Sequence, residues 1–159
     1  MSTVGTWTLP ASVPSGIGEQ VTEQNLALGN DIFFDRDFAI SPAGDWLSVT
    51  GEAALRAALY RRLMTRPGEY RARPDYGVGL PSFVKKRANS TTVDELRVAI
   101  VDQLSLEPRI EEVVDVAVER FDGGLRIGLT VRSAGRTVRF QPQNFSESDL
   151  LSLARTQRR

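Results

Sequence analysis

The strongest structural constraint in the sequence is the alternation of apolar and polar residues between residues 113 and 141. Side chains of a β-strand point alternately to its two faces, so a period of two marks strands with one buried face. Two glycine-containing turns, Asp122-Gly123-Gly124 and Ser133-Ala134-Gly135, divide the stretch. The pattern predicts a three-stranded antiparallel meander. Its expected buried face consists of Val114, Val116, Val118, Leu125, Ile127, Leu129, Val131, Val138 and Phe140.

A sheet with one apolar face needs a cover, and two upstream segments have helical spacing. The first is expected to start at a Thr50 cap and run to about Met64, where the Arg66-Pro67-Gly68 segment ends it. The second is expected to open with a capping box, Thr92-x-x-Glu95, and to stop at Pro108. The predicted fold class is therefore α+β, a small antiparallel C-terminal β-meander covered by two main helices.

The N-terminal part of the chain has shorter strand signals. Ile32-Phe33-Phe34 and Phe38-Ala39-Ile40 predict an N-terminal β-hairpin, and Trp46-Leu47-Ser48-Val49 predicts a further strand. Residues 1–30 are rich in proline and glycine and form either an extended arm along a partner's groove or a disordered terminus. We expect an arm at 1–30, a single domain at 31–145, and a tail or short helix at 146–159.

Two missing residue types narrow the chemistry. The chain has no cysteine and no histidine, which excludes thiolate chemistry, Ser-His-Asp catalysis and the usual transition-metal sites. We expect no catalytic residue, no metal and no cofactor. A secretory leader and an apolar run of membrane-spanning length are also missing, so we expect assembly in the cytoplasm and no membrane partner.

The formal net charge is zero, but the charges lie in blocks of alternating sign. Acidic residues dominate 1–52 and 101–122, whereas basic residues dominate 53–100 and 123–159. Such blocks either neutralise one another within the fold or present complementary faces to partners. The short basic clusters, Lys85-Lys86-Arg87 and the C-terminal arginines, are offset by the acidic blocks, so we expect no nucleic-acid partner.

Three further motifs together resemble a known family. They are the segment from Gly51-Glu52-Ala53 to Thr65-Arg66-Pro67-Gly68-Glu69-Tyr70, the segment Pro74-Asp75-Tyr76-Gly77-Val78-Gly79-Leu80, and Leu106-Glu107-Pro108-Arg109-Ile110. In this order and spacing they resemble the baseplate wedge and sheath-initiator proteins of contractile phage tails, a family that includes the type VI secretion subunit TssE. The resemblance covers roughly residues 31–145.

The resemblance implies a structural subunit that joins the baseplate wedge core to the first sheath ring and nucleates the sheath by β-strand augmentation. Its implied partners are the wedge core protein, the sheath protein and inner tube or hub proteins, within a sixfold assembly of a phage tail or phage tail-like particle. Which contractile machine it serves stays open.

The resemblance also suggests site residues. Wedge binding is assigned to Glu107, Pro108 and Arg109; the alternative is that Pro108 only ends a helix and its two charged neighbours are solvated. Residues expected to shape a loop are Arg66, Pro67, Gly68, Glu69, Tyr76, Gly77 and Gly79. Candidate sheath contacts are Arg126, Arg132, Arg136 and Arg139, which would put charge on the open sheet face.

A different class of function must be weighed against this one. Relatives in the family have carried a lysozyme-like label, and two carboxylates suffice for glycan hydrolysis if one is kept protonated in an apolar pocket. Glu52 and Glu69 are the candidates, but both lie beside predicted helix ends, where a negative charge has an ordinary structural role. We therefore expect a non-enzymatic protein.

Overall fold

The structure is a computed structural model that describes residues 27–146, except 33, 36, 39, 41, 42, 85–89 and 122. Most of the predicted arm, the Lys85-Lys86-Arg87 cluster and nearly all of the predicted C-terminal tail lie outside the described residues. The elements in chain order are β1 (Asn30–Ile32), β2 (Phe34–Asp35), β3 (Asp37–Phe38), β4 (Ser48–Thr50), α1 (Gly51–Met64), α2 (Leu80–Val84), α3 (Ser90–Ser105), β5 (Glu112–Phe121), β6 (Gly124–Ser133) and β7 (Arg136–Ser146). The fold class is α+β, as predicted. None of the described helices is long and apolar enough to cross a membrane.

The chain divides into two compact units between Ala58 and Leu59. In the first unit β2 and β3 form a small antiparallel hairpin, as predicted, in which Phe34 pairs with Phe38; Ile32, predicted for the same hairpin, lies in β1 and pairs with Ser48 instead. Outside it, β1 pairs with β4 in the register Asn30↔Thr50. The start of α1 is tied to this pair of strands because the Gly51 N–H donates to the Gly29 carbonyl at 3.1 Å.

In the second unit, α3 supplies the apolar stripe that the spacing predicts. Leu96, Ile100 and Leu104 are completely buried, and the helix packs against β5. The predicted capping box is wrong, because the helix begins at Ser90, two residues earlier, and Thr92 lies buried within the first turn rather than at the cap.

The sheet of the second unit is the predicted meander, with strand order β5-β6-β7 and antiparallel pairing throughout. Its apolar positions are buried with one exception, since Val114 is 48% exposed. The register shifts between Val113 and Asp115, and this bulge turns Val114 out of the predicted face. The strand β7 is also longer than the alternation indicated and continues to Ser146.

Two cross-strand ion pairs join the acidic strand β5 to the basic strand β6. Glu112 lies 3.4 Å from Arg132, and Glu119 lies 3.7 Å from Arg126. All four side chains are about half exposed or more, so each pair adds little to stability. The pairs show that neighbouring charge blocks neutralise one another in part on the sheet surface.

The loop between α1 and α2 is held by backbone hydrogen bonds at both ends. The Gly68 N–H donates to the Pro74 carbonyl at 2.7 Å, and the Gly79 N–H donates to the Thr65 carbonyl at 2.8 Å. The Glu69 carboxylate accepts from the Arg66 backbone N–H at 3.0 Å, which closes a small turn. These hydrogen bonds give the loop a defined conformation.

Gly77 is the glycine that this loop most depends on. Its φ is +104°, and a Cβ atom added there would lie 2.2 Å from the Thr65 carbonyl oxygen. Gly68 has a φ of +82°, but a Cβ there would meet no atom within 4 Å. A side chain at Gly68 would therefore cause backbone strain alone, whereas a side chain at Gly77 would cause the same strain and a steric clash.

We expect Gly77→Ala to lower the free energy of unfolding more than Gly68→Ala. The second variant pays only the left-handed backbone penalty, about 1–2 kcal/mol, whereas the first must also move the Thr65 backbone. Urea unfolding of both variants measures the difference. Equal losses at the two positions would contradict the steric explanation.

Candidate functional site

The junction between α3 and β5 is a tight turn built on the Glu107-Pro108-Arg109 motif. The Glu107 N–H donates to the Leu104 carbonyl at 3.0 Å, and the Ile110 N–H donates back to the Glu107 carbonyl at 2.9 Å. Pro108 therefore occupies the second position of a β-turn, which suits its fixed φ. The buried Ser133 hydroxyl donates to the Arg109 carbonyl and ties the turn to the end of β6.

The Glu107 carboxylate is buried and accepts hydrogen bonds from two arginines. Arg109 Nε donates to Oε1 at 2.6 Å, and Arg62 Nη2 donates to Oε2 at 3.2 Å. The side chains of Glu107 and Arg62 are only 8% and 4% exposed, whereas that of Arg109 is 23% exposed. This Arg62–Glu107–Arg109 group, called here the buried ion triad, joins α1 to the turn.

Gln103 and Tyr76 extend the triad to the loop. The Gln103 Oε1 atom accepts from Arg62 Nη1 at 3.4 Å and from the Gly77 N–H at 2.9 Å, and its Nε2 donates to the Asp75 carbonyl at 2.8 Å. The Arg62 guanidinium carbon lies 4.5 Å from the centre of the Tyr76 ring, a cation–π contact. Arg62 Nε is buried and has no hydrogen-bond acceptor among the described residues.

The electrostatics of the triad keep Glu107 ionised. Burial by itself raises the pKa of its carboxyl group, because desolvation penalises the charge. The hydrogen bonds and positive charges of Arg109 and then Arg62 outweigh that effect, so the pKa of Glu107 lies below its ordinary value of 4.5. The carboxylate is a fixed negative charge that holds two guanidinium groups.

These positions change how the predicted wedge-binding residues are understood. The alternative in which Glu107 is solvated is wrong, because the side chain is buried within the chain's own ion triad. Pro108 is exposed and Arg109 is partly exposed. A partner that reaches the turn therefore meets Pro108 and the outer edge of Arg109, and the wedge contact itself stays a prediction.

The other predicted site residues fall into two groups. The loop residues form the first group. Tyr76 contacts Arg62 of the triad, and the Gly77 N–H donates to Gln103. Tyr76, Gly77 and Gly79 are partly or fully buried, and Arg66, Pro67, Gly68 and Glu69 are exposed. The candidate sheath contacts all lie exposed on β6 and β7, namely Arg126, Arg132, Arg136 and Arg139. Their contact with a sheath subunit stays a prediction.

The sequence reasoning missed the roles of Arg62 and Gln103. Arg62 falls within the apolar stripe of α1, three residues after Leu59 and four after Ala58, and an arginine at such a position is expected to need a buried acceptor. Gln103 lies between the buried Ile100 and Leu104 on α3 and gave no comparable signal.

The comparisons with known proteins bear on this arrangement. Residues 30–135 match a protein family described as the contractile injection system sheath initiator, a match that covers most of the chain. The chain belongs to this family. No curated protein matches the sequence significantly.

Two solved structures resemble the sheath initiator. A crystal structure from Geobacter sulfurreducens, whose protein carries the provisional name tail lysozyme, is 25% identical, with a TM-score of 0.51 over 68% of this chain and 94% of that one. A chain of the sixfold-symmetrised cryo-EM baseplate of the anti-feeding prophage is 22% identical, with a TM-score of 0.54 over 78% and 90% of the two chains. The second likeness shows a shared fold.

The carboxylates weighed for glycan hydrolysis lack the environment that this chemistry needs. Glu52 is exposed and pairs with Arg56 at 3.0 Å, and Glu69 is exposed and caps the turn of the loop. Neither lies in the apolar pocket that keeps a general acid protonated. Among residues that the structure describes, no three acidic side chains are grouped so as to hold a metal ion.

We expect Glu107→Ala to destabilise the sheath initiator by about 3–5 kcal/mol, because it leaves a buried arginine without its carboxylate. Glu119→Ala is the matched control, since its exposed pair with Arg126 predicts a loss below about 1 kcal/mol. Chemical denaturation measures both. Similar losses for the two variants would show that the triad adds no more stability than a surface pair.

The triad also predicts a pH dependence. Because the folded pKa of Glu107 is below its unfolded value, its contribution is complete above pH 4.5 and is lost as the pH falls through the folded pKa. We expect the stability difference between the native chain and Glu107→Gln to shrink as the pH is lowered below about 4.5. Denaturation curves between about pH 3 and pH 7 measure this difference, and a constant difference would contradict the assignment.

Proposed function

We propose that the sheath initiator is a non-enzymatic baseplate subunit that joins the wedge core to the first sheath ring. In this proposal it starts sheath assembly by accepting a β-strand from a sheath subunit at the β7 edge of its sheet. Family membership supports sheath initiation, and the fold shared with a chain of the anti-feeding prophage baseplate supports the location. Its assembly into a sixfold particle in the cytoplasm, next to tube or hub proteins, belongs to the same proposal.

The two edges of the sheet differ in how much of their backbone is already used. At the β5 edge, α3 packs alongside the strand, and Arg97 Nε donates to the Val116 carbonyl at 3.3 Å. An incoming strand would have to displace this hydrogen bond. Among the described strands, β7 pairs with β6 alone.

The observation that carries the proposal is the register of β7. A two-residue turn, Ala134-Gly135, joins Ser133 to its partner Arg136, and pairing then alternates along the strands. In this alternation Thr137 and Arg139 direct their backbone N–H and C=O groups away from β6. Their side chains are exposed, whereas Val138 and Phe140 are buried beneath the sheet. An added strand would pair with the 137 and 139 backbones.

The same strand limits how far pairing extends. Ile127 pairs with Gln143 and Leu129 pairs with Phe140, so residues 141 and 142 face the single residue Gly128. This bulge interrupts the open edge, and residue 142 is a proline, which has no N–H to donate. The accepting segment is therefore the short run 136–140, and a bulged edge discourages indiscriminate pairing.

On the wedge side, the proposal uses Pro108 and the exposed part of Arg109. The turn fixes the direction of both residues, and the hydrogen bond from Arg109 Nε to the buried Glu107 carboxylate holds the guanidinium group in place. Arg109→Ala is the suitable test of this contact, because Glu107→Ala would also remove a buried charge that supports the fold.

The hydrolase alternative has less support from the site. The carboxyl group of Glu107 is buried, but its pKa is lowered, which is opposite to the change that a general acid of a glycosidase requires. Its two oxygens are also occupied by arginines.

The strand-addition proposal is tested by removing one outward N–H from each edge. We expect Arg139→Pro to abolish sheath formation on assembled baseplates, because proline cannot donate a hydrogen bond to the added strand. Arg120→Pro is the matched control, because Arg120 is an exposed arginine of β5 that immediately precedes Phe121 and pairs with Leu125. Electron microscopy counts baseplates with and without sheath.

Arg139→Ala separates the loss of the side chain from the loss of the N–H. We expect it to keep most of the sheath-bearing particles, and circular dichroism checks that all three variants fold. Normal sheath formation with folded Arg139→Pro would refute strand addition at β7.

A further inference from the structure

The loop between α1 and α2 presents a group of exposed side chains that the proposed wedge and sheath contacts do not use. The group, called here the arginine loop, consists of Arg66, Tyr70, Arg71 and Arg73, all exposed. Tyr70 is among the largest exposed apolar side chains of the second unit, at 51%. Tyrosine and arginine are the residue types that most often dominate binding energy at protein interfaces.

Among the described residues, the three arginines of this loop have no carboxylate partner, and they lie within eight residues of one another. Several exposed or partly exposed arginines elsewhere are paired: Arg56 with Glu52, Arg97 with Asp94, Arg126 with Glu119, and Arg132 with Glu112. Within the part of the chain that the structure describes, the side chains of Arg66, Arg71 and Arg73 make no ion pair or hydrogen bond. Their guanidinium groups are available to an outside acceptor.

The loop is also fixed before any partner arrives. The Arg73 N–H donates to the Tyr70 carbonyl at 2.9 Å, and the Tyr76 N–H donates to the Arg73 carbonyl at 3.0 Å. The Tyr70 ring packs edge-on against Tyr76, with centroids 6.0 Å apart, and Tyr76 lies on the buried Arg62 guanidinium. A preorganised loop loses less conformational entropy on binding, so more of the contact energy remains as affinity.

We propose that the arginine loop is a binding surface for an acidic segment of a neighbouring protein in the particle. Planar guanidinium groups donate paired hydrogen bonds to carboxylates, and the exposed Tyr70 ring adds an apolar contact on the same loop. The same loop exposes the carboxylates of Glu69 and Asp75. The closely spaced phosphates of a nucleic acid would be repelled by both, whereas an acidic protein segment can place its carboxylates at the arginines alone. The zero net charge of the chain also favours a protein partner.

This surface is distinct from the β7 edge, and its failure is distinguishable from failure of strand addition. Loss of the arginine-loop contact removes the sheath initiator from the baseplate, or weakens its hold there. Loss of strand addition leaves the initiator in the baseplate without a sheath. The two defects are separated by measuring initiator content and sheath content of the same purified particles.

The contact is tested by charge reversal in the full chain, with Arg71→Glu and Arg73→Glu combined. We expect the amount of initiator per purified baseplate to fall about tenfold or more, because two favourable charge contacts become repulsive. Arg120→Glu is the matched control, since Arg120 is exposed and also has no partner among the described residues. Thermal unfolding checks that the reversed side chains, being exposed, leave the fold intact.

The partner is identified by replacing Tyr70 with the photo-crosslinker p-benzoylphenylalanine in assembled particles. Crosslinks to a segment that contains Asp or Glu, together with rescue of the charge-reversed variant by Lys at those partner positions, are the expected result. Unchanged initiator content in the charge-reversed variant would overturn the proposal. Crosslinks to nucleic acid, or to a protein segment without acidic residues, would overturn it as well.

Discussion

The second unit of this protein depends on one buried carboxylate. Glu107 accepts from Arg62 at the end of α1 and from Arg109 in the turn before β5, and Arg62 in turn contacts Gln103 and Tyr76. A buried charge is tolerable only where it is paired and hydrogen-bonded, so each partner fixes the position of the next. The triad thereby sets where the turn points, where β5 starts and how the loop is held.

Much of the fold follows from local patterns in the sequence. The period of two in β5–β7 and the apolar stripe of α3 were sufficient to predict the meander and the helix beside it, because both patterns act within a few residues. The prediction that Val114 is buried was wrong because a bulge shifts the register there. A bulge depends on how two strands pair, which the pattern within one strand does not show. The predicted start of α3 at Thr92 was wrong because the helix begins two residues earlier, at Ser90.

The candidate site was harder to predict because its contacts are long-range. The Glu107-Pro108-Arg109 motif drew attention by family resemblance, but Arg62 lies 45 residues away from its acceptor. No spacing rule joins them, although an arginine within an apolar stripe indicates a buried partner. The charge blocks were informative only in part: the structure pairs Glu112 with Arg132 and Arg62 with Glu107, and it leaves the arginine loop without described partners.

The hydrogen bond from Arg97 to the Val116 carbonyl affects how many edges of the sheet can pair with another strand. A sheet with two unoccupied edges can bind at both and so propagate without end, as in fibrils. With α3 beside β5 and a bulge in β7, the described part of the sheet leaves the short run 136–140 as the accepting edge in our proposal. Under the strand addition that we propose, such a subunit begins an ordered array in a single direction, and copies of it do not extend one another.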